Sequence, residues 1–192
     1  MIQPALDAPP FTYADYLNFP ADERWELIRG EAYAMGPAPN TLHQQVAGEL
    51  FRQIANFLHN RLCEVFSAPF DVRLPQTDAA DEHIETVVQP DITVICNPDK
   101  IDERGCLGAP DWIIEILSPA TAAKDQIIKR ALYEQHGVTE YWLVHPVDRI
   151  VTVYRLQDGK CYGKPDLYET TGQLPSTLFA DFIVDWDAVF SR

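Results

Sequence analysis

Residues 110–119 read Pro-Asp-Trp-Ile-Ile-Glu-Ile-Leu-Ser-Pro, and this stretch decides the fold. Its apolar run over 112–117 is compact and ends at Ser118-Pro119, a pattern typical of a central strand that is buried on both faces. Glu115 alone interrupts the run, with an isoleucine on either side. Burial of an unpaired carboxylate is costly, so Glu115 needs a basic partner, a metal ion or a raised pKa.

The sequence on both sides of this strand predicts an α/β fold in which helices flank a single mixed sheet. The N-terminal part predicts a short helix capped by Thr12 and Asp15, a hairpin of 25–28 and 31–35, and a helix over 41–59 that begins with a capping box from Thr41 to Gln44. Strands are predicted over 63–74, 87–96, 112–117 and 141–144, with a helix over about 122–136 that ends at Gly137. The C-terminal part predicts a hairpin of 150–156 and 160–162, then a strand piece with a short helix within 182–190. The two hairpins therefore lie towards the N-terminal and C-terminal ends of the chain.

A second acid occupies a position where a strand pattern predicts burial. Asp91 follows Pro90 and opens the apolar run over 92–95. Two acids on neighbouring strands would converge on a divalent ion, and their hard oxygen ligands suit Mg²⁺ or Mn²⁺. The alternative is that Asp91 or Glu115 pairs with a basic residue or caps a loop.

Lys129 is the natural third member of this group. It lies on the second helix, where its spacing of four residues from Asp125 and from Tyr133 puts all three on one face. A surface ion pair between Asp125 and Lys129 is the simpler interpretation. That interpretation weakens because this helix follows the Glu115 strand directly and must pack back across the same sheet. The apolar pattern predicts that Ile127, Ile128, Ala131 and Leu132 point inward.

His43 lies at the start of the first long helix, on the same side as Val46 and Leu50. A histidine in that position is either a packed residue near the helix cap or a member of a catalytic site. The residue alone does not distinguish the two.

The composition excludes several classes of protein. The 192 residues carry 15 Lys and Arg against 29 Asp and Glu, a net charge of −14 that opposes binding to polyanions. No stretch of the chain is long and apolar enough to span a membrane, and the N-terminus does not resemble a signal peptide. We expect a disordered segment over 1–10, a single domain over 11–192, a cytoplasmic location and four reduced cysteines.

A set of motifs closely resembles a large family of restriction-endonuclease-like proteins in the PD-(D/E)XK nuclease superfamily. These motifs are Pro90-Asp91, Pro110 to Pro119, Asp125-x-x-x-Lys129-x-x-x-Tyr133, Gly137-Val138-x-Glu140-Tyr141-Trp142-Leu143-Val144, Trp25-Glu26-Leu27-Ile28-x-Gly30-Glu31 and His43. The resemblance extends from about residue 11 to 190. Arg29 and His145 stand where the family often has Asp.

This resemblance implies a restriction-endonuclease-like core and a set of site residues. Asp91, Glu115 and the backbone carbonyl of Ile116 would hold Mg²⁺ or Mn²⁺. Leu117 occupies the usual lysine position, and Lys129 on the following helix would replace that lysine. His43, and with less support Glu31, would line the site; the role of His145 stays open.

Two hypotheses follow from these observations. The first is a metal-dependent endonuclease acting on DNA, and the second is a catalytically silent module that binds a partner or oligomerises. The segment over 124–160 alone lacks an acidic excess, and it offers basic residues for phosphates, namely Lys124, Arg130, Arg149, Arg155 and Lys160. The intact set of acids with a candidate lysine favours the nuclease. The family resemblance and the aromatic content further predict a homodimer.

Overall fold

The strand that contains Glu115 lies inside a seven-stranded mixed sheet. The computed structural model describes residues 9–36, 38–76 and 80–191. Its strands are β1 (Trp25–Ile28), β2 (Glu31–Ala34), β3 (Glu64–Ser67), β4 (Val72–Arg73), β5 (Val87–Val88), β6 (Ile92–Ile95), β7 (Ile101–Asp102), β8 (Gly105–Leu107), β9 (Trp112–Ile116), β10 (Glu140–His145), β11 (Ile150–Gln157), β12 (Cys161–Tyr162), β13 (Asp166–Glu169), β14 (Gln173–Pro175) and β15 (Ile183–Asp185). The central sheet has the order β12-β11-β10-β9-β6-β3, and β13 also pairs with β11.

A second sheet of six strands has the order β2-β1-β5-β4-β8-β7, and β14 pairs with β15. The helices are α1 (Tyr13–Tyr16), α2 (Thr41–Leu58), a π-helix (Lys124–Lys129), α3 (Arg130–His136) and α4 (Trp186–Val189), with 3-10 turns at Asp81–His83 and Pro98–Lys100. The predicted fold class, a mixed central sheet flanked by helices with two hairpins, is confirmed. No helix in the described parts of the chain is both long and apolar enough to cross a membrane.

Alternation along β9 separates the two layers of the core. Trp112, Ile114 and Ile116 pack with Leu50 and other buried residues of α2. Ile113 and Leu117 belong to the opposite cluster, which also contains Leu132 and Tyr133 of α3. Because side chains alternate along a strand, Glu115 faces the layer of α3. The fold therefore directs this acid towards the helix that carries Lys129.

Both hairpins turn as their sequences predict. Arg29 and Gly30, between β1 and β2, have φ angles of 52° and 75°. Asp158 and Gly159, between β11 and β12, have φ angles of 52° and 66°. Two consecutive positive φ angles match the twist of a hairpin. Two residues separate the paired Ile28 and Glu31, whereas three residues, 158–160, separate the paired Gln157 and Cys161, so Lys160 belongs to the turn and not to the predicted strand.

Two predicted strands are wrong in extent. The run over 63–74 divides into β3 and β4, and the run over 87–96 divides into β5 and β6, so each run contributes to both sheets. Pro69 and Pro90 lie at the breaks. Proline has no backbone N–H to donate, so it interrupts a strand ladder and lets the chain pass to the other sheet.

The start of α2 also differs from the prediction. Asn40 caps the helix, because its side chain accepts a hydrogen bond from the His43 N–H at 2.9 Å, and Thr41 is the first helical residue. Asparagine is among the strongest N-cap residues, so it displaces the capping box predicted at Thr41. Of the segment over 1–10 that is predicted to be disordered, residues 1–8 lie outside the described residues.

The second helix follows a different period from the one that the apolar pattern predicts. Residues Lys124–Lys129 form a π-helix before α3 continues to Gly137, whose φ of 83° ends the helix as predicted. Leu132 is buried, but Ile127 is 69% exposed, so its predicted inward position is wrong. The wider π turn gives the buried face to Asp125 and Lys129 instead.

The expectation of four reduced cysteines is wrong for one pair. Cys63 and Cys96 form a disulfide, whereas Cys106 and Cys161 are free. Cys63 and Cys96 come next to the last paired positions of β3 and β6, Glu64 and Ile95. Their strand-like sequence hid this pairing, because the partner of an edge strand cannot be read from the strand itself.

Candidate active site

The register between β6 and β9 places the two predicted acids side by side. Ile92 pairs with Ile114, so one further step along the antiparallel ladder brings Asp91 opposite Glu115. The Asp91 N–H donates to Glu115 Oε2 at 3.4 Å, and the Ile116 N–H donates to Asp91 Oδ2 at 2.8 Å. Backbone donors therefore hold both carboxylates close together, where β6 begins and β9 ends.

Lys129 reaches this point from the π-helix. Its Nζ lies 2.8 Å from Glu115 Oε1 and 3.8 Å from Asp125 Oδ1. Lys129 and Asp125 are each only 2% exposed, so they do not form the surface ion pair that the simpler interpretation assumed. Glu115 therefore does pair with a basic residue, as the alternative interpretation held. That residue, Lys129, lies on the π-helix and not on the strand of Glu115.

Glu26 is a member of the site that the sequence analysis did not single out. It lies on β1 and is fully buried, with Lys129 Nζ 2.6 Å from Oε1 and Lys124 Nζ 2.5 Å from Oε2. The Gln89 N–H also donates to its Oε1 at 3.1 Å. The signal that could have found it was present: Glu26 interrupts the apolar run Trp25 to Ile28, as Glu115 interrupts its own strand.

Three buried carboxylates share the two ammonium groups at this point. Glu26, Glu115 and Asp125 lie around Lys129, and Glu26 also contacts Lys124, whereas the Asp91 carboxylate pairs with His43. Burial raises the pKa of Glu115 to about 8, against the opposing effect of Lys129 and with support from the neighbouring acids. Burial also raises the pKa of Asp125.

Both lysines favour the ionised form of Glu26. Burial alone would raise the pKa of Glu26, but Lys129 and Lys124 together lower it. Burial would likewise lower the pKa of Lys129, but Glu115, Glu26 and Asp125 raise it well above its usual value. Lys129 is therefore a permanent cation shared between acids from β1, β9 and its own helix.

His43 contacts the other side of Asp91. Its Nε2 lies 3.1 Å from Asp91 Oδ2, and the residue is 8% exposed. Burial would lower the pKa of His43, but the hydrogen bond to Asp91 and its charge, together with the Ile116 backbone, raise it. His43 is thus both a packed residue near the helix cap and a neighbour of the predicted site.

Tyr133, four residues after Lys129, completes the surroundings of Glu115. Its hydroxyl donates to Glu115 Oε1 at 3.1 Å, so Oε1 accepts from both Lys129 and Tyr133. Leu117, which occupies the usual lysine position, is 8% exposed and packs in the same layer. The candidate lysine therefore comes from the helix, and the strand position contributes only apolar packing.

The site opens into a cavity of about 250 Å³. Its lining includes His43, Asp91, Glu115, Ile116 and Lys129. Glu31 is not among the lining residues, and its carboxylate accepts from the Tyr33 hydroxyl at 2.9 Å. His145 also lies outside the lining, although Pro146 and Val147 after it belong to it.

The donor set fits a hard divalent cation. Within residues 9–36, 38–76 and 80–191, no three His, Cys, Asp or Glu side chains are grouped to hold a metal ion, so Asp91 and Glu115 would need a further oxygen ligand, for which the family resemblance suggests the Ile116 carbonyl. A divalent cation bound here would favour the ionised form of Glu115, whose pKa burial raises in the metal-free protein. Carboxylate and carbonyl oxygens are the ligands that Mg²⁺ and Mn²⁺ prefer.

Most basic residues of the segment over 124–160 are engaged inside the protein. Lys124 binds Glu26, Arg130 binds Glu134, and Arg155 binds Asp166. Arg149 lies over the ring of Phe190 at 3.9 Å. This segment therefore offers fewer phosphate contacts than its charge predicted.

The raised pKa of Glu115 predicts a pH dependence of the metal-free protein. Between its ordinary value of 4.5 and about 8, the folded state keeps a proton that the unfolded state loses. Each increase in pH across this window therefore favours unfolding. In EDTA, we expect the free energy of unfolding from urea titrations to fall from pH 5 to pH 8, and to fall less steeply in Glu115→Gln. Equal slopes in the parent and the variant would contradict the burial of this acid.

Comparisons with known proteins agree with this architecture. The Uma2 family, described as "Putative restriction endonuclease", matches residues 12–186. The chain is 25% identical over 158 residues to an uncharacterised protein of Synechocystis sp., with 81% of this chain and 79% of that protein covered. A crystal structure from Anabaena variabilis, described as "a putative nuclease belonging to DUF820", superposes with a TM-score of 0.74 at 25% identity, covering 95% of this chain and 98% of that one. The chain therefore belongs to the Uma2 family, which confirms the resemblance seen in its sequence motifs.

Proposed function

We propose that this protein is a metal-dependent endonuclease that hydrolyses phosphodiester bonds in DNA. One observation carries the proposal: Asp91, Glu115 and Lys129 meet at one cavity, with Lys129 Nζ 2.8 Å from Glu115 Oε1. Two acids and a lysine in one cavity are the groups that such hydrolysis needs. The similarity to a family and a solved structure described as nucleases supports the same reaction class.

Asp91, Glu115 and the Ile116 carbonyl would hold Mg²⁺ or Mn²⁺. When bound, the ion would neutralise charge on the phosphodiester oxygens and lower the pKa of a water molecule. The pairing of β6 with β9 supports this assignment, because it places Asp91 opposite Glu115, and both residues line the same cavity.

The remaining residues hold charge and geometry around that point. Lys129 is positioned by Glu26 and Glu115, and its ammonium group stabilises the negative charge that develops on the phosphate during hydrolysis. Tyr133 fixes the orientation of Glu115 through Oε1. His43 fixes Asp91 through its Nε2 and lines the cavity beside it.

Incubation with DNA tests the proposal directly. With Mg²⁺ or Mn²⁺ at low salt, we expect nicking or cleavage of duplex, single-stranded or branched DNA, because low salt reduces competition with the few phosphate contacts. Millimolar Mn²⁺ should also raise the melting temperature by binding the folded state, and Asp91→Asn should abolish that rise. An equal rise in both proteins would contradict the metal site, and no cleavage of any substrate would contradict the nuclease.

A catalytically silent binding module is the second candidate. It would bind DNA or a protein through the same cavity without hydrolysis. The buried acids count against this alternative, because a module that binds no metal gains nothing from three buried carboxylates around Lys129. The homodimer and the cytoplasmic location predicted from the sequence stay predictions.

A further inference from the structure

Arg24 is a cation that the reaction proposed above does not use. It lies directly before β1, and its side chain is exposed at the cavity that contains Asp91 and Glu115. Its Nε and Nη2 donate to Gln89 Oε1 at 3.1 and 2.8 Å. Among the described residues, Arg24 forms no ion pair with a carboxylate, in contrast to Lys124, Arg130 and Arg155.

Gln89 holds this guanidinium group in place. Its Nε2 donates to Asp71 Oδ1 at 2.8 Å and to the Tyr16 hydroxyl at 3.1 Å, which leaves Oε1 to accept from Arg24. The Arg24 backbone is also fixed, because the Met35 N–H donates to its carbonyl at 2.8 Å. A guanidinium group that is oriented by a neutral partner keeps its charge and its remaining N–H donors for an anion.

A second cavity of about 200 Å³ lies beside the first. Both cavities are lined by Arg24, Pro39, His43 and Asp91, so they meet beside Asp91, one of the two proposed metal ligands. Together they reach the size range of ordinary ligand sites, about 300–1,000 Å³. A strand that passes Asp91 would therefore occupy one cavity on each side of it.

The floor of the second cavity comes from α2. Gln44, Ala47, Gly48 and Phe51 follow helical spacing and line it. A Cβ atom added at Gly48 would meet nothing within 4 Å, so the missing side chain leaves open space on the helix. Phe51 is partly buried against the core and also lines this cavity with an aromatic ring, the kind of group on which a nucleic-acid base stacks without regard to its identity.

We propose that Arg24 binds a phosphate of a DNA strand where the two cavities meet, and that the second cavity holds the adjacent nucleotide against α2. The inference rests on the proposed function, because it assigns further groups to the same substrate. Its ligand chemistry is a phosphodiester with one unpaired base. The walls that Gly48 and Phe51 form suit a single nucleotide that is not stacked in a duplex.

Binding of a short fluorescein-labelled oligothymidylate tests the role of Arg24. In the Glu115→Gln background with Mg²⁺, fluorescence anisotropy should show that Arg24→Ala binds roughly tenfold more weakly. The slope of log affinity against log salt should become shallower by about 0.7, the value for one phosphate contact on a single strand. Arg104→Ala is the matched control, since Arg104 lies outside both cavities and pairs with Asp81.

A comparison with Gln89→Leu separates charge from position. This variant keeps the cation but removes its support, so binding should weaken while the salt slope stays near that of the parent. A structural defect would change the melting temperature of Arg24→Ala as well, and we expect no such change. Unchanged affinity and slope in Arg24→Ala would overturn the role of Arg24.

Two substitutions at Gly48 test the second cavity. Gly48→Ala should raise the melting temperature by about 2 °C, because glycine in a helix is less favourable than alanine, and it should weaken oligonucleotide binding much less than Gly48→Leu does. Gly48→Leu should fold as stably as the parent but bind at least roughly tenfold more weakly, because it fills the cavity. Parent-like binding by Gly48→Leu would overturn the placement of the nucleotide.

Hydrolysis and binding can fail separately in these measurements. If the parent binds with the salt slope that depends on Arg24 but cleaves nothing, the phosphate site stands and the nuclease proposal fails. If the parent cleaves DNA and both Arg24→Ala and Gly48→Leu cleave it with unchanged KM, the nuclease stands and this inference fails. A rise in KM with unchanged kcat in these variants supports a binding role outside the chemical step.

Discussion

Glu115→Gln should reduce metal-dependent cleavage by at least ~100-fold while leaving the fold intact. The substitution keeps the shape of the side chain but removes the charge that a divalent ion requires. At pH 7 the metal-free protein should tolerate it, because a carboxyl with a pKa of about 8 is already mostly protonated there. The neutral amide can also accept from Lys129 and Tyr133 through its oxygen, as Oε1 does.

The measurement pairs cleavage rates with urea titrations of the same samples. A large loss of activity with an unchanged free energy of unfolding supports a role in the reaction. Glu31→Gln is the matched control, since Glu31 is an acid of the same type outside the cavity. Cleavage by Glu115→Gln at the parent rate would remove Glu115 from the site.

Lys129→Ala should strongly destabilise the fold. It leaves Glu26, Glu115 and Asp125 without the cation that they share, inside a region that is almost fully closed to solvent. Loss of one partner from a buried ion pair costs about 3–5 kcal/mol. We expect a loss of this size in urea titrations at pH 8 without metal, and a smaller loss at pH 5, where protonation removes the uncompensated charge.

Two further variants separate stability from catalysis at Lys129. Lys160→Ala removes an exposed lysine and should change the free energy of unfolding by less than about 0.5 kcal/mol. Leu117→Lys in the Lys129→Ala background should recover part of the stability and of the cleavage, because position 117 faces the same layer as Glu115. Cleavage by Lys129→Ala at the parent rate, in protein shown to be folded, would contradict its assignment.

The sequence was sufficient to predict positions that follow from local pattern. Glu115 stands out within its strand, and the four-residue spacing of Asp125, Lys129 and Tyr133 survives the change from an α-helix to a π-helix well enough to keep them on one face. The neighbourhood of Asp91 and Glu115 depends on the pairing of β6 with β9, which the order of the strands made the natural arrangement.

Other parts of the site depend on contacts between distant segments. Glu26 lies 98 positions from Lys124 along the chain, and its role exists because the second sheet brings β1 against the π-helix. The sequence pattern predicted single strands over 63–74 and 87–96, so it did not predict the second sheet. Likewise, the partners of Arg24 and Cys63 come from other segments, and no local period reveals them.

The π-helix has a consequence for how related chains can differ in length. A π turn accommodates about one residue more than an α turn, so deleting a residue such as Gln126 could restore an α-helix at that point. Each residue of an α-helix turns the side chains by about 100°, so the deletion would alter the direction of Lys129 relative to Asp125. Relatives without the π turn would then carry their lysine one position closer to the strand acid. If a sequence alignment allows no gap within Lys124–Lys129, the lysine of such a relative is aligned with a residue other than Lys129. The relative is then counted as lacking the lysine although its site is intact.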